Sequence, residues 1–282
     1  MGRGKKKLLV RWAESQLGAA DLERIRMIPT RQNEYGYDGF GFNRDDMKIA
    51  LVVARWFFRR YFRCTVQGCE NIPRGRAMLV ANHSGQLPFD AANIVCAALF
   101  DASPPRLARA MIERFVPTVP YVSYLFSRWG QVVGTPENCR RLLEDEEVLL
   151  VFPEGARGIS KPYTERYQLA DFGLGFMRLA LQTKTPIVPV AVVGAEEQAP
   201  AINIRPLAKL LGLPAFPIMP VPPFIPALPL PSRYHIYFGE PRLFEGDPDD
   251  DDENIRALAR QVRFRIESML RVGLKERKSI FF

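Results

Sequence analysis

One histidine and one aspartate in this sequence have the chemistry needed to remove a proton from a hydroxyl group. His83 lies in the segment Asn82 to Asp90, which follows the apolar run Ala77 to Val80. Imidazole titrates near neutral pH, so a positioned histidine can act as a general base toward an alcohol. A carboxylate such as Asp90 can hold the ring in the correct tautomer and stabilise the imidazolium that forms. His83 and Asp90 are therefore the candidate catalytic pair.

A second polar segment, Phe152 to Gly158, also follows an apolar run and could bind an anionic ligand. Its two glycines, Gly155 and Gly158, would let backbone N–H groups approach a ligand closely. Arg157 could clamp a phosphate through two parallel hydrogen bonds. Taken alone, the segment is typical of an ordinary turn that carries a surface arginine.

The elements that must position these side chains alternate between apolar strands and helices. The predicted strands are 77–80, 107–111, 131–133, 148–152, 187–193 and 234–238. The predicted helices among them are 91–100, 140–146 and 172–182, and a final amphipathic helix covers 254–273. This alternation predicts an α/β fold with a mostly parallel sheet flanked by helices. Loops after strand carboxyl ends are the usual position of sites in such sheets.

The proline-rich stretch 206–231 has a different character. Its prolines exclude a regular helix or a central strand, so the sequence predicts an extended apolar loop. That loop would either cover the core or line an entrance at a membrane.

Residues 1–66 form a basic, aromatic region with its own predicted role. They carry 14 Lys and Arg against 7 Asp and Glu, which is nearly the whole excess of a chain with net charge +8. Such asymmetry favours an acidic partner surface. We therefore predict a helical membrane-docking region over 1–66 and an α/β domain over 67–282.

The helices of this region show why a membrane is the favoured partner. One polar helix is predicted over 8–30, and a second is predicted from an N-cap at Asp45 to about Cys64. On a regular helix, arginines 55, 59 and 63 would share one face, and five large aromatic residues interleave with them. Such a helix suits the headgroup layer of a membrane. The alternative is an amphipathic helix docked on the protein's own core.

Composition argues against several other classes of protein. Four cysteines without a C-x-x-C pair and only two histidines argue against a metal site. A Ser-His-Asp hydrolase is disfavoured because the sequence has no G-x-S-x-G elbow. The basic region carries no nucleic-acid recognition motif. Its longest apolar run, Ile49 to Phe58, is too short for a bilayer crossing, which needs about 20 apolar residues.

Three ordered blocks of the sequence resemble the glycerolipid acyltransferase family. That family carries an Asn-His-(four residues)-Asp block, a Phe-Pro-Glu-Gly-Thr-Arg block and a Val-Pro-Val block. The matching residues here are Asn82-His83…Asp90, Phe152 to Arg157, and Val188-Pro189-Val190. The resemblance extends over roughly residues 65–240.

The resemblance implies a reaction, a pair of substrates and a set of residue roles. A fatty acyl group would move from acyl-CoA or acyl-carrier protein to the hydroxyl of a lysophospholipid, without a cofactor and without an acyl-enzyme. His83 would deprotonate the acceptor, with Asp90 as its partner. Glu154, Gly155 and Arg157 would bind the phosphate or glycerol part of the acceptor. A lipid acceptor implies a peripheral or monotopic protein on the cytoplasmic face of an anionic membrane.

Departures from the family pattern leave alternatives open. Six residues rather than four separate His83 from Asp90, and Ala156 replaces the family's threonine. Pro136 stands where the family's intermediate block has an arginine, unless Arg128 or Arg140 substitutes. These departures allow a neutral acceptor, such as diacylglycerol or a long-chain alcohol, or an inactive membrane-binding homologue. The oligomeric state does not follow from the sequence.

Overall fold

The computed structural model has nine strands and eight α-helices among the residues it describes. Those residues are 3–83, 88–112, 121–155, 158, 161, 163–198, 202–203, 217–218 and 229–281. The strands are β1 (Thr65–Gln67), β2 (Ala77–Ala81), β3 (Ala108–Ile112), β4 (Val132–Val133), β5 (Val148–Val151), β6 (Ile187–Val193), β7 (Ile202–Asn203), β8 (Pro217–Ile218) and β9 (His235–Phe238). The helices are α1 (Arg3–Leu17), α2 (Ala19–Arg26), α3 (Arg44–Trp56), α4 (Phe89–Phe100), α5 (Val122–Arg128), α6 (Pro136–Glu144), α7 (Gly175–Thr183) and α8 (Asp252–Glu276).

A seven-stranded sheet in the order β1-β9-β6-β2-β5-β3-β4 forms the centre of the molecule. Strand β2 pairs in parallel with both β5 and β6, so that Leu79 lies between Leu150 and Val188. Strand β9 runs antiparallel to β6 and parallel to β1. The prediction of an α/β fold with a mostly parallel sheet is therefore confirmed. Strands β7 and β8 form a separate two-stranded sheet. Most of the proline-rich stretch lies outside the described residues.

Both faces of the sheet are buried, because helices cover each of them. In β2, Ala77, Leu79 and Ala81 belong to one hydrophobic cluster, which also takes in residues of α3 and α4. The intervening Met78 and Val80 belong to a second cluster, with residues of α6, α7 and α8. Strand side chains alternate between faces, so a strand covered on both sides is a continuous apolar run.

The N-terminal helices differ from their prediction in two places. The predicted helix over 8–30 is broken between α1 and α2 at Gly18, whose φ of +80° places it in the left-handed region that favours glycine. The predicted N-cap at Asp45 is wrong. Asn43 caps α3, and its side-chain oxygen accepts a hydrogen bond from the N–H of Asp46 at 3.0 Å. Asp45 and Asp46 instead occupy the first turn, where negative charge is favourable.

The three arginines predicted to share one helical face do not do so. Helix α3 continues into a π-helical turn, Phe57–Tyr61, which shifts the register of the residues that follow. Arg63 lies beyond that turn, with φ of +46°, and donates hydrogen bonds to two backbone carbonyl groups. Arg55 and Arg59 form ion pairs with aspartates of the protein itself.

The aromatic residues of this region are divided between core and surface. Phe58 and Phe62 are fully buried in the same cluster as Leu79, whereas Trp56 is 50% exposed. The helix is therefore docked on the protein's own core, as the alternative interpretation proposed. Residues 1–66 thus share a hydrophobic core with the α/β domain, and their docking to a membrane stays a prediction.

Candidate active site

Asn82 anchors the loop that carries His83. Its side-chain Nδ2 donates to the carbonyl of Val192 at 3.1 Å, and its Oδ1 accepts the Val192 N–H at 2.8 Å. The two residues lie at the carboxyl ends of the neighbouring strands β2 and β6. Asn82 is buried, and it forms hydrogen bonds with both backbone groups of Val192. It therefore ties the end of β2 to β6 and fixes the position of the backbone that leads into His83.

The imidazole of His83 and the carboxylate of Asp90 are in direct contact. Nδ1 of His83 lies 2.7 Å from Oδ2 of Asp90. Asp90 is fully buried in the first turn of α4, where its Oδ1 accepts the N–H of Ala91 at 2.7 Å. The start of α4 at Phe89 brings Asp90 back to the ring, so the longer spacing in the sequence does not prevent pairing. A carboxylate at a helix N-terminus is also stabilised in its charged form.

The ring of His83 stacks on a neighbouring aromatic side chain and stays partly exposed. Phe152 stacks on the imidazole with ring centroids 4.2 Å apart, and the His83 side chain is 19% exposed. Since a carboxylate can only accept, Nδ1 donates to Asp90 and Nε2 carries the free lone pair. The geometry therefore suits a general base that receives a proton at Nε2.

The charges around His83 raise its pKa. Burial lowers the pKa of the imidazole, but the charge and hydrogen bond of Asp90, with the charge of Glu154, outweigh burial. Lys161 acts in the opposite direction. The net result is a pKa above the ordinary value of 6.5. A base must be neutral to accept a proton, so activity should fall as the pH decreases through this raised pKa.

Glu154 supports the backbone of His83. Its Oε1 accepts the His83 N–H at 2.9 Å, and its Oε2 accepts the Ala170 N–H at 2.7 Å and the ammonium of Lys161 at 3.2 Å. Only 2% of Glu154 is exposed. Both oxygens are thus occupied by donors of the protein itself. The geometry assigns Glu154 to positioning His83, whereas the acceptor contact inferred from the resemblance stays a prediction.

The two glycines of the second segment are needed for different reasons. Gly155 has φ of +56°, and its N–H donates to the carbonyl of Phe152 at 3.0 Å, which closes a tight turn. A Cβ on Gly158 would lie 2.9 Å from Cβ of Glu154 and 3.0 Å from Cβ of His83. Gly158 therefore allows two site residues to pack together. Arg157, the predicted phosphate ligand, lies outside the described residues.

This packing leads to a prediction about Gly158. We expect Gly158→Ala to lower kcat by roughly tenfold or more, because the added methyl group must displace His83 or Glu154. The measurement is the initial rate, at saturating substrates, of the acyl transfer that the sequence resemblance implies. Gly175→Ala is the matched control, since a Cβ there meets nothing within 4 Å. Equal rates for the two variants would contradict the proposed packing constraint.

The arginines considered as substitutes in the intermediate block have partners within the protein. Arg128 lies 3.7 Å from a carboxylate oxygen of Asp46 and stacks over the ring of Tyr37. Arg140 forms ion pairs with two glutamates of its own helix, α6. Both arginines therefore have carboxylate partners within the protein.

Two charged residues near the site were missed by sequence reasoning. Lys161 and Glu196 lie 3.4 Å apart, and Lys161 also contacts Glu154. The signal that could have indicated Glu196 is its position shortly after the end of β6 at Val193, where charged side chains follow a buried strand. No spacing rule connects it to Lys161, because the two residues are far apart in the chain.

Two further findings concern the part of the chain that the structure describes. Within that part, no helix is both long enough and apolar enough to cross a bilayer. The same residues contain no group of three or more His, Cys, Asp or Glu side chains that could hold a metal ion.

Comparison with known proteins identifies sequence relatives of this chain. The family model described as Acyltransferase matches residues 63–193. An uncharacterized protein of Mycobacterium tuberculosis is 39% identical over 279 residues, which is 95% of this chain and 77% of that protein. A probable 1-acyl-sn-glycerol-3-phosphate acyltransferase of Mycoplasma pneumoniae is 24% identical over 156 residues, which is 52% of this chain and 56% of that protein.

Two more distant similarities bear on lipid chemistry and on fold. A mouse protein named DGAT1/2-independent enzyme synthesizing storage lipids is 26% identical over 212 residues, which is 73% of this chain and 59% of that protein. The crystal structure of the 1-acyl-sn-glycerophosphate (LPA) acyltransferase of Thermotoga maritima superposes with a TM-score of 0.53. The two chains are 19% identical, and the match covers 99% of this chain and 100% of that one. At this identity the match shows a shared fold.

The matched family model and the ordered sequence blocks identify an O-acyltransferase, which is built on a mostly parallel α/β sheet. The chain belongs to the glycerolipid acyltransferase family, as its sequence blocks predicted. It is therefore an enzyme of lipid metabolism.

Proposed function

We propose that the enzyme transfers a fatty acyl group from acyl-CoA or acyl-carrier protein to the hydroxyl of a lysophospholipid. The observation that carries the proposal is the contact of 2.7 Å between Nδ1 of His83 and Oδ2 of Asp90, made by an imidazole ring that is still partly exposed. Nothing in this pair requires a cofactor, because base catalysis and a thioester suffice for the reaction.

The His83–Asp90 pair suggests a direct transfer. Nε2 of His83 takes the proton of the acceptor hydroxyl while the oxygen attacks the carbonyl carbon of the thioester. A carbon–oxygen bond forms, and the carbon–sulfur bond breaks as the tetrahedral intermediate collapses. The imidazolium, stabilised by Asp90, returns its proton to the leaving thiolate. The products are an ester and a free thiol, so no acyl-enzyme is required.

A phosphate-bearing acceptor is favoured by the similarity to the probable 1-acyl-sn-glycerol-3-phosphate acyltransferase. A neutral acceptor is the second candidate, and two observations favour it. Pro136 replaces the arginine of the family's intermediate block, and the arginines that could substitute are bound within the protein. The relative named as an enzyme synthesizing storage lipids also resembles this chain.

An acceptor and donor panel tests the proposal. Purified enzyme would be given acyl-CoA or acyl-carrier protein together with lysophosphatidate, diacylglycerol or a long-chain alcohol. Release of free thiol and formation of the ester product would both be measured. We expect lysophosphatidate to be the preferred acceptor. Preference for diacylglycerol or the alcohol would support the second candidate, and no turnover in any combination would contradict both.

We also propose that the enzyme acts at the cytoplasmic face of an anionic membrane. A long-chain acceptor stays in the bilayer, so the enzyme must meet it there. Support comes from large apolar side chains exposed on the packed helices α1 and α3: Leu8 is 67%, Trp12 47% and Trp56 50% exposed. Exposed Lys7 and Arg11 lie beside them in the chain. Tryptophan and basic residues together suit a membrane interface.

Point variants test membrane docking better than truncation, because residues of α1 to α3 belong to the core. The double variant Trp12→Gln/Trp56→Gln is expected to bind anionic vesicles at least about tenfold more weakly, since it removes apolar surface from the interface. Co-sedimentation with phosphatidylserine-containing vesicles measures this binding. Phe264→Gln is the matched control, because Phe264 is 64% exposed on α8. Unchanged sedimentation of the double variant would refute the proposal.

A further inference from the structure

A buried cluster of three charged residues lies beside His83. Lys161 Nζ is 3.2 Å from Oε2 of Glu154 and 3.4 Å from Oε1 of Glu196. The side chains of Lys161, Glu154 and Glu196 are 8%, 0% and 7% exposed. The ammonium also donates to the carbonyl of Gln168 at 3.0 Å. A lysine with so little exposure needs compensating partners, and these acceptors supply them.

The cluster joins the end of β6 to the loop that carries the site. Glu196 follows β6, and its Oε1 also accepts the N–H of Tyr167 at 3.2 Å. Glu154 follows β5 and accepts the N–H of His83. Lys161 is therefore the link between a residue that holds the backbone of His83 and the neighbouring strand end.

We propose that Lys161 is a positioning residue that holds Glu154 against the backbone of His83 and so keeps the general base in place. This inference rests on the proposed role of His83 as the base. In this role Lys161 acts through Glu154 and not on the reacting atoms. Its removal should therefore affect the rate of the chemical step more than the KM for either substrate.

The charges that face the cluster also influence protonation. Among the described residues, Asp90, Glu154 and Lys161 act on His83, and Lys161 alone of these lowers its pKa. Burial raises the pKa of Glu196 to about 7, although the charge of Lys161 opposes the shift. Loss of the ammonium should therefore raise the pKa of His83. The acidic limb of the pH–rate profile would then move to higher pH.

The proposal is tested with a single variant and a charge-balanced double variant. Lys161→Met is expected to lower kcat by roughly 10- to 100-fold with little change in KM. Lys161→Met/Glu196→Gln removes one buried cation and one buried carboxylate together, so the fold is expected to persist in thermal unfolding. If Lys161 positions Glu154, the double variant stays as slow as the single one. Lys275→Met, an exposed lysine on α8, is the control for loss of a positive charge.

A titration of His83 provides a readout that does not depend on acceptor identity. The protein has two histidines, so NMR with labelled histidine gives two signals, and His235→Gln assigns them. The pKa of His83 is expected to be higher in Lys161→Met than in the wild-type protein, because the single variant removes a positive charge that lowers it. Recovery of the rate by Glu196→Gln, or a His83 pKa that does not rise, would overturn the proposal. Neither result would bear on the base role of His83, which its own replacement tests separately.

Discussion

Replacement of His83 by glutamine is expected to lower kcat by roughly a hundredfold to ten-thousandfold. Glutamine keeps a polar side chain of similar length but cannot accept the hydroxyl proton at neutral pH. The backbone N–H of residue 83, which donates to Glu154, is retained in the variant. The loss should therefore appear in the chemical step, with a smaller effect on KM.

The other histidine of the chain is the matched control. His235 lies in β9, where its Nδ1 is 2.8 Å from the hydroxyl of Thr65 on the edge strand β1. His235→Gln should retain close to the wild-type rate, measured as free thiol released per enzyme at saturating substrates. A His83→Gln enzyme that kept the full rate would show that another group takes the proton.

Asp90→Asn should produce the second-largest loss, roughly a hundredfold to ten-thousandfold in kcat. The amide can present N–H groups to Nδ1 of His83, which favours the tautomer whose Nε2 is already protonated. It also removes the negative charge that stabilises the imidazolium. Because Asp90 is fully buried, solvent cannot take over either role.

Asp90→Asn should also shift the pH dependence of the rate in a definite direction. The charge and hydrogen bond of Asp90 raise the pKa of His83, so their removal should lower it. The neutral base then persists to lower pH, and the acidic limb of the residual activity should move downward. A kcat–pH profile measures the shift, with Asp145→Asn as an exposed-carboxylate control. An upward shift, or an unchanged limb, would contradict the electrostatic role assigned to Asp90.

The roles assigned to Asp90 and Lys161 predict opposite shifts in the pKa of His83. Loss of the Asp90 charge should lower the pKa of His83, whereas loss of the Lys161 charge should raise it. A general loosening of the site would not separate the variants in this way. Comparing their pH profiles therefore distinguishes specific electrostatic effects from a less stable fold.

Local features of the sequence were sufficient for the candidate pair and for six of the seven strands of the main sheet, whereas β1 was missed. Strands such as Ile187–Val193 were predicted because continuous apolar runs are typical of strands buried on both faces. The N-cap of α3 was misplaced because Asn43, Asp45 and Asp46 are all good capping residues. The π-helical turn at Phe57–Tyr61 was missed, since a change of helical pitch leaves no local pattern.

The class of fold, the family and the residue types available for proton transfer could be predicted from the amino-acid sequence, because these follow from periodicity and from ordered motifs. The contacts of those residues became known from the three-dimensional fold. His83 meets Glu154 across a separation of 71 residues, and Asn82 meets Val192 across 110. Such contacts depend on which strands become neighbours in the sheet. The link through Lys161 to Glu196 arises in the same way, since burial brings charges together that no spacing along the chain connects.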